Sequence, residues 1–129
     1  MARKVAIIAS QGTLDTAYKV LNIATAAASM DAEVTIFFTF EGLAILTSPE
    51  SLQMPPGKEQ IAAALSQAGL PSVREMMDMA EEAGVKFLGC QMTMDVLGIG
   101  KAQIGESCDV GGAAAFLEYA FDADVTVTF

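Results

Sequence analysis

The apolar positions of this chain come in short unbroken runs, separated by longer stretches in which they recur every three or four residues. Residues 4–10 (KVAIIAS) form such a run, the pattern of a strand covered on both faces of its sheet. A glycine-bearing turn, QGTLD, follows, and Thr13 or Asp15 can cap a helix running to about Met30. The Ala-rich second half of that helix, IATAAASM, suits close packing on a sheet. Residues 33–40 (EVTIFFTF) predict a second strand, and Glu41-Gly42 opens a short helical piece, LAILT. Residues 48–57 (SPESLQMPPG) form the stretch richest in Pro, Ser and Gly and predict a flexible loop. Helical spacing resumes over residues 59–68 and 72–83, the second opening on Ser72 and Glu75, the spacing of a capping box. Gly84 stops that helix, and residues 85–89 predict a third strand. A brief helix or turn, QMTMDVLGIG, comes next. KAQIGESCD reads as irregular or helical, VGGAAAFLEYAFDA as a last helix, and DVTVTF as a closing strand.

This order of strands and helices predicts a doubly wound α/β fold, a mostly parallel sheet with helices on both faces. At 129 residues it is expected to be one domain spanning 1–129. No internal repeat or low-complexity segment is present.

Composition narrows the partners. The apolar fraction is 53% and the mean hydropathy +0.44, so the core is large and apolar surface is left for a subunit interface. The apolar stretches are too short or too interrupted for a membrane span. The N-terminal MARKVAIIAS has basic residues before an apolar run, but the run ends at Gln11-Gly12, short for a secretory leader; a cytoplasmic location is expected. A net charge of −9 with only seven Lys and Arg offers no stripe to neutralise phosphates and argues against nucleic acid. There is no histidine, which removes the commonest general base and transition-metal ligand, and the two cysteines, Cys90 and Cys108, do not form a zinc or thioredoxin-type motif. Neither a metal nor a cofactor is expected.

What remains is a thiol, carboxylates, hydroxyls and backbone groups. Ligands of open α/β sheets bind at the carboxyl ends of strands. Three such ends carry candidate chemistry: Gly12 and Thr13 after the first strand, Phe40 and Gly42 after the second, and Cys90, Gln91 and Met92 after the third. Cys90 at a strand end and helix start is either a small packed residue or a nucleophile. Free amides there can lower a thiol pKa without any adjacent histidine or arginine. Cys108 lies beside Glu106 and Asp109, carboxylates that disfavour a thiolate, and reads as structural. A disulfide between the two cysteines stays open at this point. Met92 and Met94 are either core or the wall of an apolar pocket beside the thiol, and Asp95 reads as a helix-start carboxylate. SQGTLD lacks the glycine-lysine ending of a P-loop and is not G-x-G-x-x-G, so it reads as a tight turn with a cap.

Three blocks, residues 7–43, CQMTMDVLGI (90–99) and VGGAAAFLEYAFDADVTVTF (110–129), resemble the DsrE/DsrF-like sulfur-relay proteins, in particular a branch sometimes labelled peroxiredoxin-like. The resemblance implies a three-layer α/β sandwich with a sheet of about five strands, and a homo-oligomer. It implies a sulfur carrier or sulfurtransferase without multistep turnover, holding sulfane sulfur or thiosulfonate on Cys90 and exchanging it with TusA-like or rhodanese-like partners. Around Cys90 the substrate would meet Gly12, Thr13, Phe40, Gly42, Gln91, Met92 and Met94. The segment before the PSVREMMDMAEEAG helix is shorter than the family pattern. The alternatives are a non-catalytic oligomeric small-ligand-binding protein with an inert Cys90, and a peroxidase. The latter is disfavoured because the only arginines, Arg3 and Arg74, are distant from Cys90 in sequence.

Overall fold

Five strands form one all-parallel sheet in the computed structural model, which describes residues 2–129: β1 (Lys4–Ala9), β2 (Glu33–Phe38), β3 (Lys86–Cys90), β4 (Asp109–Gly111) and β5 (Val125–Thr128), in the order β4-β3-β2-β1-β5. Central β2 (EVTIFF) is buried from Val34 to Phe38 because both its faces are covered, which is why its sequence runs apolar without alternation. Side chains alternate between two cores. Val5, Ile7, Val34, Ile36, Phe38 and Phe87 point to one face. There they meet α1 (Leu14–Ser29), through Ala17, Val20, Leu21 and Ala24, and α4 (Val73–Glu82), through Val73, Met77 and Ala80. Ala6, Phe37 and Cys90 point to the other face, where α7 (Ala113–Ala120) brings Phe116. The Phe37 and Phe116 rings stack with centroids 4.9 Å apart, and Tyr119 on α7 donates its hydroxyl to the Glu33 carbonyl at 2.9 Å. Helices on both faces make the three-layer sandwich expected from the sequence.

One of the expected elements differs. The stretch from Val110 does not begin the last helix: Val110 and Gly111 pair with β3 as edge strand β4, and α7 starts only after Gly112. Three residues, one of them glycine, are too short a run to show strand periodicity. The LAILT piece is helical as expected: a 3-10 turn over Phe40–Leu43 leads into α2 (Ala44–Thr47). The remaining helices are α3 (Glu59–Gln67), α5 (Gln91–Leu97) and α6 (Lys101–Ile104). Ser72 and Glu75 form the expected capping box of α4, each side chain bonded to the other's backbone amide.

Residues 48–57 fold back on the start of α1. Gln53 accepts the Leu14 amide at 2.9 Å, and Lys58 just beyond the loop pairs with Asp15 at 3.1 Å. None of the loop residues lines the cavity next to Cys90 described below. Among the described residues no helix is long and apolar enough to cross a membrane.

Candidate functional site

The carboxyl ends of β1 and β2 are locked to one another by close backbone approach. Thr39 donates its amide to the Ala9 carbonyl at 3.0 Å. A Cβ on Gly42 would stand 2.0 Å from that same carbonyl oxygen, and one on Gly12 would stand 2.4 Å from the Glu41 oxygen. Both positions therefore require glycine for space. The strand order reverses between β1 and β5, but that crevice is taken by Phe129, whose carbonyl accepts both the Ser10 amide and the Ser10 hydroxyl at 2.7 Å. The candidate site lies instead at the ends of β2 and β3.

Cys90 ends β3 and is the residue that caps α5. It is 4% exposed, so its sulfur lies below the surface beside Phe37 and Phe116. Burial pushes its thiol pKa up. The Thr93 hydroxyl and amide, the Thr39 hydroxyl and the Met92 amide outweigh that and hold it below the ordinary cysteine value. No side-chain cap bond closes from Cys90 to α5. These groups therefore act as oriented dipoles that favour the charged sulfur, not as bonds to the neutral thiol. Every one of them is neutral, so the thiol pKa is lowered without a cation beside the sulfur.

Cys108 has the opposite environment. It is 1% exposed in the α1/α4 core, and burial pushes its thiol up to about 11, against smaller lowering effects of the Gly89 backbone and Lys101. Its Sγ donates to the Phe87 carbonyl at 3.5 Å. The two thiols are free and belong to cores on opposite faces of the sheet, so the disulfide left open by the sequence is not formed.

Beside Cys90 opens an apolar cavity of about 220 Å³ lined by Phe40, Glu41, Met92, Thr93, Val96 and Leu97. Phe40, Met92, Val96 and Leu97 are all more than half exposed, an unusual concentration of apolar surface at one mouth. Phe40 has φ +50, in the left-handed region that a bulky side chain rarely adopts. Of the residues singled out in the sequence, Cys90, Phe40, Gln91 and Met92 cluster here. Gln91 is exposed and donates to the Asp95 carboxylate at 2.8 Å. Gly12 and Gly42 lie under the cluster as packing glycines. Thr13 is at the start of α1, bonded to Thr16 at 2.9 Å, and Met94 is buried in the α1/α4 core; neither lines the cavity. Thr39 and Thr93, which hold the Cys90 thiol pKa down, were not among the sequence candidates. A hydroxyl three residues after the cysteine was the available signal for Thr93, since that spacing places it on the same helical turn.

Residues 1–128 are covered by two overlapping matches, residues 1–62 and 55–128, to the model of the DsrE/DsrF/DrsH-like family. The chain belongs to this family. The two matches overlap at residues 55–62, where α3 begins. Among its DsrE-like relatives, the sulfur carrier protein DsrE2 of Allochromatium vinosum is 33% identical over 152 aligned positions, covering 95% of this chain and 96% of the relative. The uncharacterized protein YrkE of Bacillus subtilis is 29% identical, covering 97% and 96%. Among solved structures, the ychN protein of E. coli superposes with a TM-score of 0.74 at 15% identity, covering 98% of this chain and 99% of that one. A protein of unknown function from Methanobacterium thermoautotrophicum gives 0.63 at 14% identity, covering 98% and 99%. These structures share the DsrE-like fold.

Proposed function

We propose that this protein is a sulfur carrier of the DsrE-like type, with Cys90 as the residue that holds the sulfur. The observation that carries the reading is the contrast between its two thiols: hydroxyl and amide dipoles favour the thiolate of Cys90, whereas burial suppresses that of Cys108. The sulfur-carrier name of a relative 33% identical over nearly all of the chain supports the same role. In the proposed step the Cys90 thiolate attacks the outer sulfur of a donor persulfide. A new S–S bond forms on Cys90, the donor S–S bond breaks, and the donor leaves as a thiolate with the electron pair. One sulfane sulfur changes hands, and no external oxidant or reductant is consumed. Release to an acceptor thiol is the same exchange in reverse; a thiosulfonate held as Cys90–S–S–SO3⁻ passes on likewise, the acceptor thiolate attacking the sulfane sulfur next to Cys90 Sγ and Cys90 leaving as its thiolate.

The partners of the reading are proteins that present a thiol or persulfide, TusA-like or rhodanese-like, and the acidic surface favours encounter with a basic one. The exposed apolar side chains at the cavity mouth and on α7 support a homo-oligomer. A cytoplasmic setting suits two free thiols.

The reading is tested by incubating wild type, Cys90→Ser and Cys108→Ser with a polysulfide or tetrathionate and measuring intact mass. The expected result is an adduct on wild type and on Cys108→Ser that is reversed by dithiothreitol and absent from Cys90→Ser. An adduct that persists in Cys90→Ser would overturn the assignment of Cys90. No adduct on wild type would leave the binding-protein reading with an inert cysteine.

A further inference from the structure

Phe40 is a bulky residue at φ +50, a left-handed backbone that persists only where its surroundings hold it. Three hydrogen bonds hold this one. Thr39 donates its amide to the Ala9 carbonyl, Phe40 donates its own to Thr93 Oγ1, and Gly42 donates to the Thr39 carbonyl, each at 3.0 Å. The ring gains nothing from core packing in return, for it is 59% exposed and belongs to neither core. It stands instead as one wall of the cavity beside Cys90, with Met92, Val96 and Leu97 as apolar walls and Thr93 between them. Met92 and Thr93 follow Cys90 by two and three residues, so an occupant of the cavity lies next to the thiol. Glu41 is the charged residue of the lining, and Asp95 adjoins it on α5; both are exposed. Neither carboxylate takes part in an ion pair among the described residues. The seven cationic side chains are placed elsewhere. Arg3, Lys4 and Lys86 stand at the amino ends of β1 and β3. Lys19 and Lys58 pair with Asp15, Arg74 pairs with Glu50, and Lys101 reaches the Glu106 carbonyl.

We propose that this mouth is the docking site of the sulfur-exchanging partner, and that it takes one apolar side chain flanked by a lysine or arginine, next to the partner's reactive sulfur. The proposal rests on the sulfur-carrier reading and adds what the site recognises. Size argues for a single side chain, because a cavity of about 220 Å³ is smaller than the roughly 300–1,000 Å³ of sites that enclose a whole small ligand. Charge argues for the flanking cation, because Glu41 and Asp95 border the mouth and no cation of this chain lines it. A strained aromatic wall held in place before binding lowers the cost of ordering the contact. A second copy of this chain fits less well. A two-fold contact sets the same patch against itself, so Glu41 and Asp95 would meet their own like charges. Leu117 and Phe121 on α7 offer a separate apolar patch for self-association.

Four blocked tripeptides test this, with phenylalanine or glycine before a cysteine and lysine or glutamate after it, each activated as the mixed disulfide with thionitrobenzoate. The Cys90 thiolate attacks the peptide sulfur, the disulfide between Cys90 and the peptide forms, and thionitrobenzoate leaves with the electron pair and is read by its absorbance. Each rate is divided by that of mercaptoethanol, a neutral thiol, with the same peptide, and Cys90→Ser supplies the blank. Phenylalanine is expected to outrun glycine about tenfold. Lysine is expected to outrun glutamate about threefold at low salt, and by less at high salt. Val96→Ser with Leu97→Ser should erase the phenylalanine advantage and keep that of lysine. Glu41→Gln should do the reverse, and circular dichroism checks the fold of each variant. Normalised rates equal for all four peptides would overturn the proposal, as would preferences that both variants leave intact. Equal rates combined with a smaller particle for Val96→Ser with Leu97→Ser by light scattering would give the mouth to a second copy instead. Loading by polysulfide is measured apart from this: loading without peptide preference sinks the docking site and leaves the carrier reading, whereas preference without loading keeps the docking site and sinks the carrier reading.

Discussion

Gly42 and Gly112 show how much a single atom decides at the carboxyl end of this sheet. At Gly42 a methyl group would fall 2.0 Å from the Ala9 carbonyl oxygen and 2.6 Å from its carbon, and neither is a flexible side-chain end that can swing aside. At Gly112 nothing lies within 4 Å, and the backbone is extended. Gly42→Ala is therefore expected to cost about 3 kcal/mol, by forcing the turn after β2 away from β1, while Gly112→Ala stays within about 1 kcal/mol. Urea unfolding of the two variants against wild type measures both; equal, small losses would show that the turn can yield. The same crowding explains what could be read of the site from the chain alone. Cys90 stood out because a strand end followed by a helix start is a local pattern. Thr39 did not, because its hydroxyl comes to act on the Cys90 thiol only after β2 and β3 pair side by side, a juxtaposition that no spacing in the sequence encodes. Met94 was grouped with Met92 by alternation, but α5 is a helix, and residues two apart on a helix face different directions. Met92 accordingly meets the cavity and Met94 the core.

At the scale of elements, α1, α4 and the three long strands were readable because each presents a full period of apolar positions. The edge strand β4 and the role of the 48–57 loop were not. Loop placement depends on contacts far apart in sequence, and here Asp15 in the first turn of α1 is the anchor. Burial alone would push its carboxyl up. The Thr13 hydroxyl beside it, the Lys58 ammonium at 3.1 Å and the Thr16 amide at 3.0 Å more than offset this, and its pKa falls to about 2. A carboxylate whose pKa is lower folded than unfolded stabilises the fold at pH values above its unfolded pKa of about 3.9. That contribution is lost as pH falls from about 5 toward 2. Because Lys58 is 42% exposed, solvent screening reduces the full linkage value, and about 1–2 kcal/mol is expected near neutral pH. Unfolding of wild type and Asp15→Asn between pH 7 and pH 2 checks this: the wild-type advantage should be present at pH 6 and gone near pH 2. A difference that does not change with pH would mean that Asp15 acts as a helix cap and not through its charge.

For the molecule as a whole, the two faces of the sheet are covered unequally. Two long helices, α1 and α4, seal one face, while the eight residues of α7 are the main cover of the other, and the edge strand β5 leaves Val125 half exposed. The outer side of this thinner layer is itself apolar: Leu117 is 45% exposed and Phe121 80% exposed, one helical turn apart. A chain with 53% apolar residues has more of them than one small core can enclose, and here the excess gathers on α7 and around the cavity mouth instead of scattering. Surface of that kind is normally covered by association, and a chain carrying a net charge of −9 associates only where apolar contact outweighs charge repulsion. Wild type is thus expected to run as an oligomer by light scattering at micromolar concentration, more firmly in high salt, where repulsion is screened. Leu117→Ser with Phe121→Ser should shift it toward smaller species while leaving the circular dichroism spectrum unchanged, since neither side chain belongs to either core. A monomeric wild type in high salt would refute the expectation; an oligomer that both substitutions leave intact would move the interface from α7 to the cavity mouth, where Val96 and Leu97 are the side chains to change next.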